Sequence, residues 1–158
     1  MDWTDFIPRE RAVIVFARRE DEVLLINKKR GLGAGKVNGP GGRIDPGETP
    51  AEAAIRETME EVHITIHELQ QHATLHFAFV DGYSLTVYVY VTESFSGTAA
   101  ETEEADPFWC ATSQIPYASM WADDAHWLPE VLADRYVDGR FIFEGDSMLW
   151  SELNARER

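Results

Sequence analysis

The chain has 158 residues, 44% hydrophobic and 27% charged, a composition that suits one globular domain spanning 1–158 and excludes a disordered chain. Its formal net charge of −14, from 28 acidic against 14 basic side chains, repels long phosphate backbones and argues against non-specific binding of DNA or RNA. Cys110 is the single cysteine, no apolar run approaches the ~20 residues of a membrane span, and Met1 to Asp5 lack the order of a signal peptide, so a monomer in a reducing cytoplasm is expected.

Residues 12–18 and 23–27 read as a strand pair joined by the polar turn Arg19-Glu20-Asp21. Residues 31–47 follow, with seven glycines and two prolines. A long loop of this kind inside a small domain is functional more often than filler. Lys28, Lys29, Arg30, Lys36 and Arg43 cluster around it, either as a solvated basic loop or as a patch that neutralises a small anion. Thr49-Pro50-Ala51-Glu52 starts a helix: Thr49 caps, Pro50 suits the first helical position, and Glu52 completes a capping box. The helix runs to about Val62. Residues 75–80 and 84–92 form a second strand pair around Asp81-Gly82. Residues 95–106 read as an acidic loop and 108–111 as a short strand. Residues 125–136 have helical spacing at Leu128, Val131, Leu132 and Arg135, with Pro129 acceptable only in a first turn. Residues 141–143 are a short final strand. This order predicts an α/β fold, a mixed β-sheet with helices on both sides.

On the first helix, positions advance by roughly 100° per residue, so Glu57, Glu60 and Glu61 share one stripe. Ala51, Ile55, Met59 and Val62 fall opposite and are expected to face the core. Arg56 is expected to point away from the middle of the carboxylate stripe. Three adjacent carboxylates repel one another and call for a positive partner. A solvated face with Arg–Glu pairs is the ordinary meaning of a Glu-rich helix, whereas a hard divalent cation suits a cluster of oxygen donors.

The flanking spacing weighs for the cation. Gly42 is followed by five residues, Glu48, seven residues, and then Arg56-Glu57-Thr58-Met59-Glu60-Glu61-Val62-His63-Ile64. Residues 42–64 thus resemble the Nudix box, Gly-x5-Glu-x7-Arg-Glu-U-x-Glu-Glu-x-Gly-U, where U is a bulky aliphatic. Thr58 stands at an aliphatic position and His63 at the glycine, where a side chain resists the left-handed conformation that often ends a helix. The resemblance implies a Nudix-type α/β/α sandwich with Glu57, Glu60, Glu61 and Arg56 as the catalytic set. It also implies Mg²⁺, or Mn²⁺ in its place, on Glu57, Glu60, Glu61 and the Gly42 carbonyl, with a Glu48–Arg56 ion pair orienting the helix.

Residues 28–39 and 120–127 extend the resemblance to MutT-type members that sanitise oxidised purine nucleoside triphosphates, over about residues 11–149. For the base this implies Asn38, Asp123, Asp124 and Trp121, with Phe77 and Phe79 in the pocket wall. Lys28 joins the substrate-binding set and Glu104 adds a carboxylate on the metal side. The residue types suit these roles: Asn38 offers donor and acceptor, Trp121 a stacking face, and two adjacent carboxyls in a dry pocket share a proton. Core aromatics and an aspartate N-cap are the plainer meaning of 121–127. Ala12, Leu32 and Val37 depart from the pocket of that subfamily.

The expected activity is metal-dependent hydrolysis of a small-molecule (deoxy)nucleoside triphosphate, of the 8-oxo-dGTP or 2-oxo-dATP kind, to the monophosphate and pyrophosphate. Nudix chemistry on another diphosphate-linked substrate or an RNA 5′ end, and a non-catalytic nucleotide-binding domain, are the alternatives. A Walker loop is excluded, since no Ser or Thr follows Lys36. His63, His67, His72 and His76 lack zinc-site spacing, and Cys110 has no triad partner in the sequence and reads as a small buried hydrophobe.

Overall fold

The computed structural model describes residues 2–158. The central strand is β1 (Glu10–Arg19), flanked by β2 (Glu22–Lys28) on one side and β6 (Ser84–Ser96) on the other. Beyond them the sheet runs β3 (Val37–Asn38), β2, β1, β6, β5 (Thr65–Phe79), β8 (Arg135–Glu144), β9 (Ser147–Glu157), with β4 (Gly41–Arg43) on β1 and β7 (Ala105–Ala111) on β2. The pairs β1–β6 and β5–β8 are parallel and the others antiparallel, which makes the sheet mixed.

Alternation along β1 separates the two layers. Val13 and Val15 face helix α1 (Pro50–Val62), where Ala53, Ala54 and Ile66 join them. Phe16 faces helix α2 (Asp124–Leu132) and packs with Trp127, Leu128 and Val131 against Leu75, Phe141 and Phe143. No helix among the described residues is long and apolar enough to cross a membrane.

The capping box of α1 is formed: Glu52 N–H donates to the Thr49 hydroxyl at 3.1 Å, and Thr49 N–H to the Glu52 carboxylate at 2.9 Å. The buried face, however, is only in part the expected one: Val62 is buried and Ala51 packs at the edge of the core, but Ile55 and Met59 do not. Ile55 and Met59 are 42% and 41% exposed, while Ala53, Ala54, Thr58, Glu61 and Val62 are buried. The helix rides close over β1 and β4, and small side chains permit that approach where Ile55 and Met59 would hold it off. Thr58, fully buried, satisfies its hydroxyl by donating to Ala54 O at 2.8 Å. His63 takes the left-handed conformation at φ 63°, ψ 31° despite its side chain, and its N–H donates to Met59 O at 3.0 Å.

Other expectations are corrected toward more strand. β9 carries no hydrophobic alternation because it is an edge strand exposed along most of its length. β5 begins ten residues before position 75, in a polar stretch whose register shifts at three bulges. The acidic loop is confined to 97–104, because Phe95 and Ser96 complete β6 and Ala105 opens β7. The second helix stops at Leu132 rather than 136. Asp134, at φ 63°, turns the chain into β8, held by Arg18 and by His72 Nε2 at 3.3 Å. Pro129 lies in the second turn of α2.

Candidate active site

A cavity of about 650 Å³ opens between the glycine-rich loop, the sheet and the segment leading into α2. Lys28, Asn38, Gly42, Glu57, Glu61, Phe77, Phe79, Glu104, Trp121, Asp123 and Asp124 all line it. Arg56 and Glu60 are not among its lining residues.

At one end the helix α1 presents Glu57 and Glu61. Two of the three stripe carboxylates, Glu57 and Glu61, therefore face into the cavity, with β4 passing beneath them, while Glu60 stays on the solvent side. A Cβ on Gly42 would lie 2.4 Å from the Glu57 carboxylate, so any side chain there would displace Glu57 from its place. Gly41 N–H donates to Glu61 Oε2 at 3.3 Å. Burial pushes the Glu61 carboxyl up to about 7; the nearby Glu57 and Glu104 charges add to the push, and Gly41 N–H and Lys28 oppose it. Burial also raises Glu57, against the pull of Arg56. Glu104 comes from the acidic loop. Arg30 holds it at 3.0 Å, Lys29 N–H donates to its carbonyl at 3.0 Å, and the Thr102 hydroxyl ties the loop to Glu61 O at 2.7 Å.

Arg56 does not point away from the stripe. Its Nε and Nη2 donate to both Glu48 oxygens, at 2.7 and 2.9 Å, and its Nη1 to Glu57 Oε1 at 2.7 Å and Glu60 Oε2 at 3.2 Å. Nη2 also reaches Arg43 O at 3.0 Å. The fork holds the Glu48 carboxyl down to about 2. One guanidinium thus joins the loop before α1 to the first glutamate of the stripe, and Glu60 is left exposed on the solvent side.

Among the described residues, no three His, Cys, Asp or Glu side chains form a ready-made ligand cage. The donor set still fits a hard divalent cation. Glu57, Glu61 and Glu104 line one wall, their charges raise the Glu61 carboxyl together, and all their donor atoms are oxygen. Of the basic patch, Lys29 and Arg30 pair with the acidic loop, Lys36 with Asp146, and Arg43 with Glu10 at 2.7 Å. Lys28 alone has no ion-pair partner among the described residues, and it faces the cavity.

At the other end, Asp123 and Asp124 are 3% and 2% exposed. Asp123 stands at the start of α2 but makes no side-chain cap; its Oδ2 accepts from Trp127 Nε1 at 2.7 Å. Asp124 Oδ2 is buried with no partner. Burial pushes Asp123 up to about 6 and, together with the Asp123 charge, drives Asp124 well above the carboxylate range. A neutral Asp124 is a hydrogen-bond donor in waiting. Asn38 accepts from Gly39 N–H at 2.8 Å through Oδ1, which leaves its NH₂ unengaged by any described residue. Trp121 contacts Phe79 and Phe143 in T-shaped pairs and lines the cavity; Trp127, buried in the core, also borders it.

The NUDIX domain family matches residues 8–131. The chain belongs to the Nudix hydrolase family. The oxidized purine nucleoside triphosphate hydrolase of Danio rerio is 37% identical over 137 residues, covering 86% of this chain and 88% of that protein. Its namesake from Mus musculus is 36% identical over 139 residues, 87% and 89% of the two chains. The crystal structure of the mutator MutT protein from Bacillus halodurans superposes with a TM-score of 0.83 over 92% of this chain and 97% of its own, at 24% identity, and shows the Nudix fold. Nudix hydrolases generally need a divalent metal.

Arg30, Tyr83, Leu85 and Phe143 also line the Nudix cavity and were not assigned to it from sequence. Phe143 could have been found, since β8 runs parallel to β5 and pairs Phe143 with Phe79. Tyr83 gives no such signal, because it sits in a hairpin turn. Cys110 is half-buried in β7, outside the cavity.

Proposed function

We propose that the chain hydrolyses an oxidised purine nucleoside triphosphate to the monophosphate and pyrophosphate, with Mg²⁺ on Glu57, Glu61, Glu104 and the Gly42 carbonyl. The observation that carries this reading is the buried, unpartnered Asp124 Oδ2 in the same cavity as the carboxylate wall. A plain metal-phosphatase site has no use for a proton-sharing aspartate pair; a purine whose edge offers new acceptors and donors has. Both eukaryotic relatives carry that activity in their names.

Trp121 stacks on the base, Asp124 donates to an acceptor on its edge while Asp123 accepts, and the Asn38 amide donates beside them. Lys28 neutralises the phosphate chain. A bound divalent cation would neutralise phosphate oxygens further and lower the pKa of its water. Whichever of Glu57 and Glu61 the ion left uncoordinated would take the proton as a water oxygen bonds to phosphorus; the bridging P–O bond would break and pyrophosphate would leave. Arg56 and Glu48 hold Glu57 against Gly42 and so fix the geometry of the wall. Glu60, paired with Arg56 on the solvent side, would be the further carboxylate within the same stripe that such an ion could draw on.

The test is a nucleotide screen with Mg²⁺ that reads released pyrophosphate. Oxidised purine triphosphates are expected to exceed plain purine and pyrimidine triphosphates in kcat/KM. Release without preference for any base overturns the base assignment, and no release from any triphosphate overturns the reading as a whole.

A further inference from the structure

Residues 28–36 form a closed loop: Lys28 N–H donates to Lys36 O at 3.0 Å and Gly35 N–H to Lys28 O at 2.8 Å. The two lysines at its base do different things. Lys28 faces the cavity, while Lys36 does not line it. Lys36 Nζ lies 5.2 Å from the centroid of the Trp121 ring and 3.4 Å from Asp146 Oδ2, in the turn between β8 and β9. The loop touches the same ring a second time. Gly33, at φ +82°, lies so close that a Cβ there would be 2.7 Å from Trp121 Nε1. Phe79 and Phe143 meet the ring in T-shaped contacts at 6.3 and 5.6 Å.

We propose that Lys36 is a positioning residue for base selectivity: held by Asp146, it fixes the plane of Trp121 and locks the phosphate-binding loop to the base-binding wall. This rests on the reading of the cavity as a purine site. An ammonium within about 6 Å of an indole face is attracted to it, and the attraction grows where solvent is partly excluded. The Lys36 side chain is 27% exposed and Asp146 69%, so the ion pair itself contributes little and serves mainly to aim the ammonium. The consequence is coupling. The residue that closes the loop carrying Lys28 is the same one that steadies the stacking ring, so phosphate grip and base stacking form together.

Two measurements on the full chain test this. The first needs no nucleotide: acrylamide quenching of Trp121 emission, isolated by subtracting a Trp121→Phe variant, in wild type, Lys36→Met and Lys36→Arg. The Met variant is expected to make Trp121 more quenchable, and Arg, which stacks and pairs as Lys does, to restore protection. The second is inhibition by 8-oxo-2′-deoxyguanosine, which has no phosphates. Lys36→Met is expected to raise its Ki about three- to tenfold, in step with KM for the triphosphate and with kcat within about twofold. Asp146→Asn, which leaves ring and loop intact, moves both readouts in the same direction by less. Unchanged quenching in Lys36→Met overturns the proposal whatever the substrate proves to be. A raised triphosphate KM with unchanged nucleoside Ki also overturns it, since it makes Lys36 a phosphate ligand. Absence of any nucleotide turnover, by contrast, defeats the functional reading and leaves the quenching result to decide the role of Lys36.

Discussion

Asp123 Oδ2 accepts from Trp127 Nε1 at 2.7 Å, one turn further along α2, and this bond decides what its neighbour can do. With Asp123 tied to the core, Asp124 is left with Oδ2 buried and without a partner, and burial together with the Asp123 charge pushes its carboxyl well above the usual range. Replacing Asp124 by Asn keeps the shape but fixes a donor and an acceptor in place of a shared proton. We expect kcat/KM for an oxidised purine triphosphate to fall roughly 5- to 150-fold, far more than for a pyrimidine triphosphate, from an unpaired group costing about 1–3 kcal/mol. Equal losses on both substrates would mean that Asp124 does not read the base.

The three glutamates of α1 are not equivalent. Glu57 and Glu61 line the cavity, and Glu60 is exposed on Arg56. Steady-state rates with Mg²⁺ should fall by two orders of magnitude or more (roughly the loss on removing a key transition-state group) in Glu57→Gln and Glu61→Gln, and by clearly less in Glu60→Gln. A Glu60→Gln loss as large as the others would show that the helix rearranges when metal binds.

Glu61 also sets a pH dependence. Its folded pKa, about 7, lies above the 4.5 of an ordinary glutamate. The folded state therefore holds the proton more tightly, and stability is lost as pH rises from about 4.5 to about 7, by an amount on the order of 3 kcal/mol. In metal-free protein, Glu61→Gln should melt increasingly above wild type across that window, and near it below pH 4. The apparent affinity for Mg²⁺ should rise through pH 7 as Glu61 ionises, giving an alkaline optimum. Parallel melting curves for the two proteins at all pH values would remove Glu61 as the cause.

Glu48 has the opposite sign. Arg56 lowers its carboxyl to about 2, so the ion pair stabilises above about pH 4.5 and is lost as pH falls toward 2. Glu48→Gln is expected to lower the melting temperature at pH 6, with the difference vanishing near pH 2. Its kcat should fall as well, because Glu57 loses its fixed partner. A melting difference that persists undiminished at pH 2 would contradict the ion pair.

His63 ends α1 at φ 63° without being glycine. His63→Gly relieves a left-handed strain of about 1 kcal/mol, which for a chain of this size corresponds to about 2–4 °C in melting temperature. Differential scanning calorimetry checks it; a lower midpoint would mean that the imidazole makes a compensating contact.

Local features were legible in the sequence. The capping box at Thr49 and Glu52 follows from short-range geometry, which a chain carries wherever it folds, and the 42–64 spacing is read directly from the residues. The α/β character and the main strand pairs were legible from the short apolar runs of β1, β2 and β6, bounded by turn residues. Only the tertiary structure decided which face of α1 turns inward. Periodicity put Ile55 and Met59 on the core, but close approach to β1 and β4 admits alanines and leaves those two outside. It also decided that Arg56, paired with Glu48 as expected, reaches Glu57 as well, and that Asp123 bonds Trp127 rather than capping α2. Edge strand β9 and the polar half of β5 left no hydrophobic pattern, because their order comes from backbone pairing with β8 and β6. Hydrophobic periodicity reports burial against a core, whereas hydrogen-bonded edges and long-range side-chain pairs are set by which elements meet.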